Sequence, residues 1–183
     1  FHIRERPSLL EEAESSEIGT FLHAFLRKAY GEWVGAAPRI DDGFRMKSRR
    51  LLAKMFREQF AGRMRSEGFL TEQMLRFALD RFLDTEATRA IEQVIAVEHT
   101  LRGRLMTPAG RSVACTATLD RIDLLSDGTV LVIDYKSGST PISEKDAWEG
   151  RNLQMPIYAL AISQSILPGA EVEQLHHVIE IYG

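Results

Sequence analysis

The sequence predicts an α/β chain of the α+β kind: a helical N-terminal part over 1–90, then a mostly antiparallel sheet with a flanking helix over 91–183. Three observations carry this. Apolar residues recur at helical spacing through the first half of the chain. From Ile91 the period changes to short apolar runs separated by tight turns. Asp127-Gly128 stands between two such runs and marks a hairpin. With 183 residues, 44% of them hydrophobic, the chain can bury one core but hardly two, so a single domain is expected. It begins with Phe1 rather than Met, which suggests a domain cut from a longer protein.

Taken in order, residues 1–15 read as a flexible lead. Ser15 or Ser16 is positioned to cap a helix running from 17 to about 33, with Phe21, Leu22, Phe25 and Leu26 on its apolar face. His23 lies off the centre of that stripe, one turn after Gly19. Residues 35–43 form a loop. A second helix runs from 44 to about 65, packed through Leu51, Leu52, Met55, Phe56 and Phe60, and Gly68 breaks it. A third begins at Thr71 and carries Met74, Leu75, Phe77, Ala78, Phe82 and Leu83. Strands follow over 94–97, 101–106 and 113–119, the last running on into the hairpin. Glu98 ends an apolar strand. It reads as an exposed edge residue, with a third site acid as the alternative. A helix is expected from about 145 to 166, where Gln154 and Tyr158 share one face although Pro156 lies between them. The final strand, 172–182, reads as an edge, and adjacent His176 and His177 point to opposite faces, so they are not a metal site.

The hairpin holds the chemistry. The apolar run Val130 to Ile133 leads directly into Asp134, Tyr135 and Lys136. Charged residues are seldom buried without a partner or a metal. Strand alternation sends Asp134 and Lys136 to one face and Tyr135 to the other. Asp120 and Asp123 on the partner strand can supply a second carboxylate. Two converging carboxylates form a hard-oxygen site suited to Mg²⁺ or Mn²⁺.

Composition excludes several classes. The one cysteine, Cys115, cannot form an internal disulfide or a four-cysteine cluster and reads as a buried structural thiol. No apolar run is long enough to cross a membrane and no secretory signal opens the chain, so the expected setting is cytoplasmic. The net charge of −3 argues against a protein that coats nucleic acid non-specifically. The charge is uneven, however. Arg45, Lys47, Arg49, Arg50, Lys54, Arg57, Arg63 and Arg65 make a basic stripe that can bind phosphates.

Gly19-x-x-x-His23, Asp120-Arg121-Ile122-Asp123, Asp134-Tyr135-Lys136 and Gln154-x-x-x-Tyr158, in this order, resemble the PD-(D/E)xK nuclease superfamily. More narrowly they resemble its RecB-like branch, the nuclease domains of bacterial helicase–nuclease subunits of the AddB-like kind. The resemblance covers about residue 17 to the C-terminus. It departs at Ala117, where the pattern usually has glycine.

The resemblance implies a restriction-endonuclease-like core, a mixed sheet flanked by helices, with the leading helices as a cap. It implies His23, Asp120, Asp134 and the Tyr135 backbone carbonyl as metal ligands, and Asp120, Asp134 and Lys136 as the catalytic set. Lys136 would orient the attacking water. Gln154 and Tyr158 would contact DNA or support Lys136, and Arg49 and Arg50 of the stripe would draw DNA in. The implied cofactor is Mg²⁺ or Mn²⁺ without an iron–sulfur cluster. The implied partners are DNA, as single-stranded ends, and a helicase domain or subunit, without a membrane. The expected activity is that of a metal-dependent deoxyribonuclease of the RecB-like exonuclease kind in recombination and repair. The alternative is a catalytically inactive DNA-binding domain of a helicase–nuclease complex.

Overall fold

The computed structural model describes residues 9–60, 67–106, 110–136, 157–158 and 172–178. Three helices precede the strands, as the apolar spacing predicts: α1 (Leu9–Tyr30), α2 (Asp42–Phe60) and α3 (Glu67–Ala87), with one 3-10 turn, Gly31–Trp33, after α1. Two helix starts differ from expectation. Ser15 and Ser16 lie inside α1 rather than at its cap, because the Leu, Glu and Ala residues before them are strong helix formers. Ser16 instead offers its carbonyl to Thr20 Oγ1 at 3.0 Å. Likewise α3 begins at Glu67, so Gly68 sits in its first turn and not between helices. The start of α2 follows the capping rule: Asp41 Oδ1 accepts the Phe44 N–H at 2.8 Å.

The helices pack together through aromatic side chains. Phe21 meets Phe56 and Phe60 edge-on, at centroid distances of 5.9 and 5.6 Å. Leu22, Phe25, Leu52, Leu75, Phe82 and Leu83 extend this core, which covers one face of the sheet at Val94, Leu131, Ile133 and Tyr135. Phe77, one of the apolar residues of α3, faces out and is 67% exposed.

Among the described residues, four strands form one mixed sheet: β1 (Ile91–Met106), β2 (Ser112–Leu125), β3 (Val130–Lys136) and β4 (Val172–Val178), in that spatial order. The first three are antiparallel neighbours, and β4 lies parallel to β3 at the edge. The β2–β3 turn is the one the Asp-Gly pair predicts. Gly128 has φ 87°, which a side chain would resist, and Asp127 Oδ1 accepts the Thr129 N–H at 2.9 Å. A second core lies on β1, β2 and β3 through Leu101, Leu119, Ile122, Val130 and Val132, closed by Tyr158 from a helical segment.

Where two short strands were expected, β1 is one continuous strand of 16 residues. The polar stretch around Glu98 is a local distortion, not a break: Glu98 has φ 44°, yet Val97 and His99 stay paired with Arg121 and Leu119. Opposite it, β2 loses strict alternation. Leu119 and Ile122 are an odd number of residues apart but share one core cluster. Such irregularities turn a strand and re-aim its side chains. Asp120 lies between Leu119 and Ile122.

Candidate active site

Helix α1 buries its apolar stripe and leaves His23 at the stripe's margin, half-buried beside the sheet. His23 Nδ1 lies 3.1 Å from Asp120 Oδ1. The other oxygen of Asp120 accepts the Tyr135 backbone N–H at 2.7 Å. Asp120 thus ties α1 to the end of β3. The hydrogen bond to Asp120 raises the His23 pKa above its ordinary value, against the opposing effect of burial. The charge of Asp120, a backbone hydrogen bond with Tyr135 and the charge of Asp134 act in the same upward direction.

Asp134 is buried at the end of the apolar β3 strand, and its Oδ2 lies 2.8 Å from Lys136 Nζ. Alternation along β3 explains this pair, since residues two apart share a face. Two couples therefore mark the site, His23 hydrogen-bonded to Asp120 and Lys136 in an ion pair with Asp134. Among the described residues, no three His, Cys, Asp or Glu side chains converge closely enough to hold a metal. Both Asp120 oxygens have partners within the protein. The donor types themselves, two carboxylates and an imidazole beside a main-chain strand end, fit a hard divalent cation.

Asp123 does not join this site. It is fully buried on the helical side of the sheet, where Arg121 Nε donates to both its oxygens at 3.0 and 2.9 Å. Arg121 also donates to the Tyr135 hydroxyl at 2.9 Å and to Glu86 at 2.5 Å, and stacks 4.1 Å over the Tyr30 ring. Tyr30 donates to the same Glu86 oxygen at 3.0 Å. Burial alone would depress the Arg121 pKa, but Tyr135, Glu86 and Asp123 hold it well above the ordinary value. Sequence reasoning missed this network. The i, i+2 spacing of Arg121 and Asp123 was a signal for it, since the two share a strand face.

Glu98 was misplaced by the same reasoning, and Arg27 escaped it. Glu98 is not at a strand end. It lines the same recess as His23, Asp120 and Tyr135, and accepts from Arg27 at 3.0 Å. Arg27 follows His23 by one helical turn on α1.

The DNA-contact expectations fare differently. Arg49 pairs with Asp80 of α3 at 2.8 Å, and Arg50 donates to the Met46 sulfur at 3.4 Å. Arg45 pairs with Asp84, Lys47 with Glu32 and Lys54 with Glu58. The stripe on α2 is thus largely neutralised, mostly by acids of its neighbours, and chiefly joins α2 to α3. Tyr158 is buried and donates its hydroxyl to the Thr118 carbonyl at 2.8 Å, so it braces β2. Gln154, Arg63 and Arg65 lie outside the described residues.

The chain is similar in sequence to curated helicase–deoxyribonuclease subunits. The chain is 29% identical over 162 residues to an ATP-dependent helicase/deoxyribonuclease subunit of Desulforudis audaxviator, covering 78% of the chain and 14% of that protein. It is 35% identical over 77 residues to the protein of the same name from Alkaliphilus metalliredigens, covering 40% of the chain and 6% of that protein. The chain thus spans a small part of these relatives' length. A model of the PD-(D/E)XK nuclease superfamily matches residues 1–178, and with the mixed sheet and its terminal acids this establishes that the chain belongs to that superfamily.

Proposed function

We propose that the chain is the nuclease domain of a longer helicase–nuclease protein and hydrolyses DNA phosphodiester bonds in recombination or repair, in a cytoplasmic setting. The observation that carries this is the Asp120 carboxylate bridging His23 and the Tyr135 backbone, with the Lys136–Asp134 pair on the same strand end. The relatives' names supply DNA as substrate and a helicase as partner. Exonucleolytic action on single-stranded ends is the finer form of the proposal.

His23, Asp120, Asp134 and the Tyr135 carbonyl would hold the Mg²⁺ or Mn²⁺ ion. When bound, such an ion supplies Lewis acidity at the phosphate and a water that ionises near neutral pH. The residues of the chain do the rest. Asp134 holds the Lys136 ammonium, whose partly exposed head can orient the attacking water and favour the charge that develops on the phosphoryl oxygens. Asp120 fixes His23, and Tyr158 keeps β2 in place beside the site through Thr118.

The test is cleavage of end-labelled single- and double-stranded DNA with Mg²⁺, Mn²⁺ or EDTA, by the chain and by Asp134→Ala. Cleavage that needs the metal and is lost in the variant supports the assignment. Cleavage in EDTA, or an unimpaired variant, overturns it. DNA binding without any cleavage would point to an inactive DNA-binding domain.

A further inference from the structure

Past Asp120, β1 and β2 continue as a two-stranded ribbon, from Leu101↔Ala117 to Met106↔Ser112, while the β2–β3 pairs cover only Arg121 to Leu124. The stretch from His99 to Leu119 contains no Asp or Glu and holds Arg102, Arg104 and Arg111. In a chain of net charge −3 this is a local reversal of sign. The ribbon's register sets Thr100 opposite Thr118, Arg102 opposite Thr116 and Arg104 opposite Ala114, all exposed. This face is built from guanidinium and hydroxyl groups. The Thr100 and Thr118 hydroxyls lie 3.1 Å apart, and Arg104 Nε donates to Ser112 Oγ at 2.8 Å.

The contrast with α2 gives this surface its meaning. On α2, Arg45, Lys47 and Arg49 each have an acidic partner. On the ribbon, Arg102 and Arg104 have none among the described residues. Charge that is already paired gains little from a phosphate, because the old pair must be broken first. Guanidiniums without acidic partners on an extended scaffold present donors at a spacing that an extended backbone can follow. The strand leads straight from this face into Asp120 through Thr118 and Leu119.

We propose that the β1–β2 ribbon is a nucleic-acid-binding arm, holding the sugar–phosphate backbone of the strand that enters the site at Asp120. The proposal rests on the nuclease reading above and adds to it the route by which substrate arrives. The ribbon contacts are sequence-independent: guanidiniums on phosphate oxygens and hydroxyls on phosphate or sugar.

The test separates binding from cleavage. Affinity of the 183-residue chain for single-stranded and duplex oligonucleotides is measured in EDTA across a salt series. The variants are Arg102→Ala/Arg104→Ala, Arg102→Lys/Arg104→Lys and, as a control on α2, Arg45→Ala/Arg49→Ala. The alanine ribbon variant should bind about tenfold more weakly, with a salt slope shallower by about 1.4 on single strands and about 1.8 on duplex. The lysine variant should keep the slope of the parent. The α2 control should bind as the parent does. Hydrolysis of a small phosphodiester, bis(4-nitrophenyl) phosphate, should be equal in parent and ribbon variants, because it cannot reach the arm. An unchanged slope in the alanine ribbon variant, or a larger loss in the α2 control, overturns the proposal while leaving the nuclease assignment to its own cleavage test. Loss of bis(4-nitrophenyl) phosphate hydrolysis in the alanine ribbon variant also overturns it, since the ribbon would then support the site and not the substrate strand.

Discussion

Arg121 of β2 and Glu86 of α3 meet at 2.5 Å with neither side chain exposed to solvent. The guanidinium answers Glu86, Asp123 and the Tyr135 hydroxyl at once, directly beneath the strand end that carries the site. Removing it would leave two buried carboxylates without their central cation. Arg121→Met is therefore expected to destabilise the chain by about 3–5 kcal/mol, measured by urea denaturation. Replacing Arg121, Glu86 and Asp123 together with apolar residues of similar volume should cost less than Arg121→Met alone. A loss below about 1 kcal/mol for the single variant would contradict this account.

The three-helix layer depends on Phe21, which is completely buried between Phe56 and Phe60. Phe21→Ala should cost about 3–5 kcal/mol, through lost burial and the cavity left between α1 and α2. Phe77→Ala, which removes an exposed ring from α3, should lie within about 0.5 kcal/mol of the parent. Thermal melting of the two variants side by side checks both figures.

Lys136→Met keeps the length of the side chain and removes its charge. Cleavage is expected to fall by about 100-fold or more, as for the loss of one group that stabilises transition-state charge. Because Lys136 pairs with buried Asp134, the variant should also lose about 1–3 kcal/mol of stability, so rates are compared well below its melting temperature. Rates under single-turnover conditions decide the matter, and an undiminished rate would remove Lys136 from the catalytic set.

In metal-free protein the raised pKa of His23 makes stability depend on pH. The folded state favours the imidazolium, because Asp120 accepts its hydrogen bond and Asp120 and Asp134 supply negative charge. The contribution is fully present below the ordinary value of 6.5 and is lost as pH rises through the higher folded value. The stability difference between the parent and His23→Gln in EDTA should therefore shrink from pH 6 to pH 9. A difference that is flat or grows over that range would refute the coupling.

What the sequence made legible was whatever local chemistry decides. The hairpin followed from Asp127-Gly128 and its flanking apolar runs, and the succession of helices then strands followed from the change of period at Ile91. The helix starts were misplaced because Ser15 and Ser16 resemble caps and Gly68 resembles a breaker, while α1 begins upstream at Leu9 and α3 takes Gly68 into its first turn. The unity of β1 was hidden because polar Glu98, His99 and Thr100 interrupt the apolar run, although they form a distortion within a paired strand. Of the site, Asp120, Asp134, Lys136 and His23 could be named from motif spacing. The partners of Arg49 and Arg121 could not, since Asp80 and Glu86 approach them only through tertiary packing.

The bond between His23 and Asp120 joins residues 97 positions apart. The two carboxylate-bearing strands, by contrast, are joined by one tight turn and can pair within microseconds of collapse. Closing the long loop that brings α1 to the sheet costs chain entropy and comes later. A nascent or partly unfolded chain would therefore hold its acidic hairpin before it held the imidazole that completes the site. On the proposed nuclease reading, competence to cut would arrive with the last long-range contact, so that an unfinished molecule would be a harmless one.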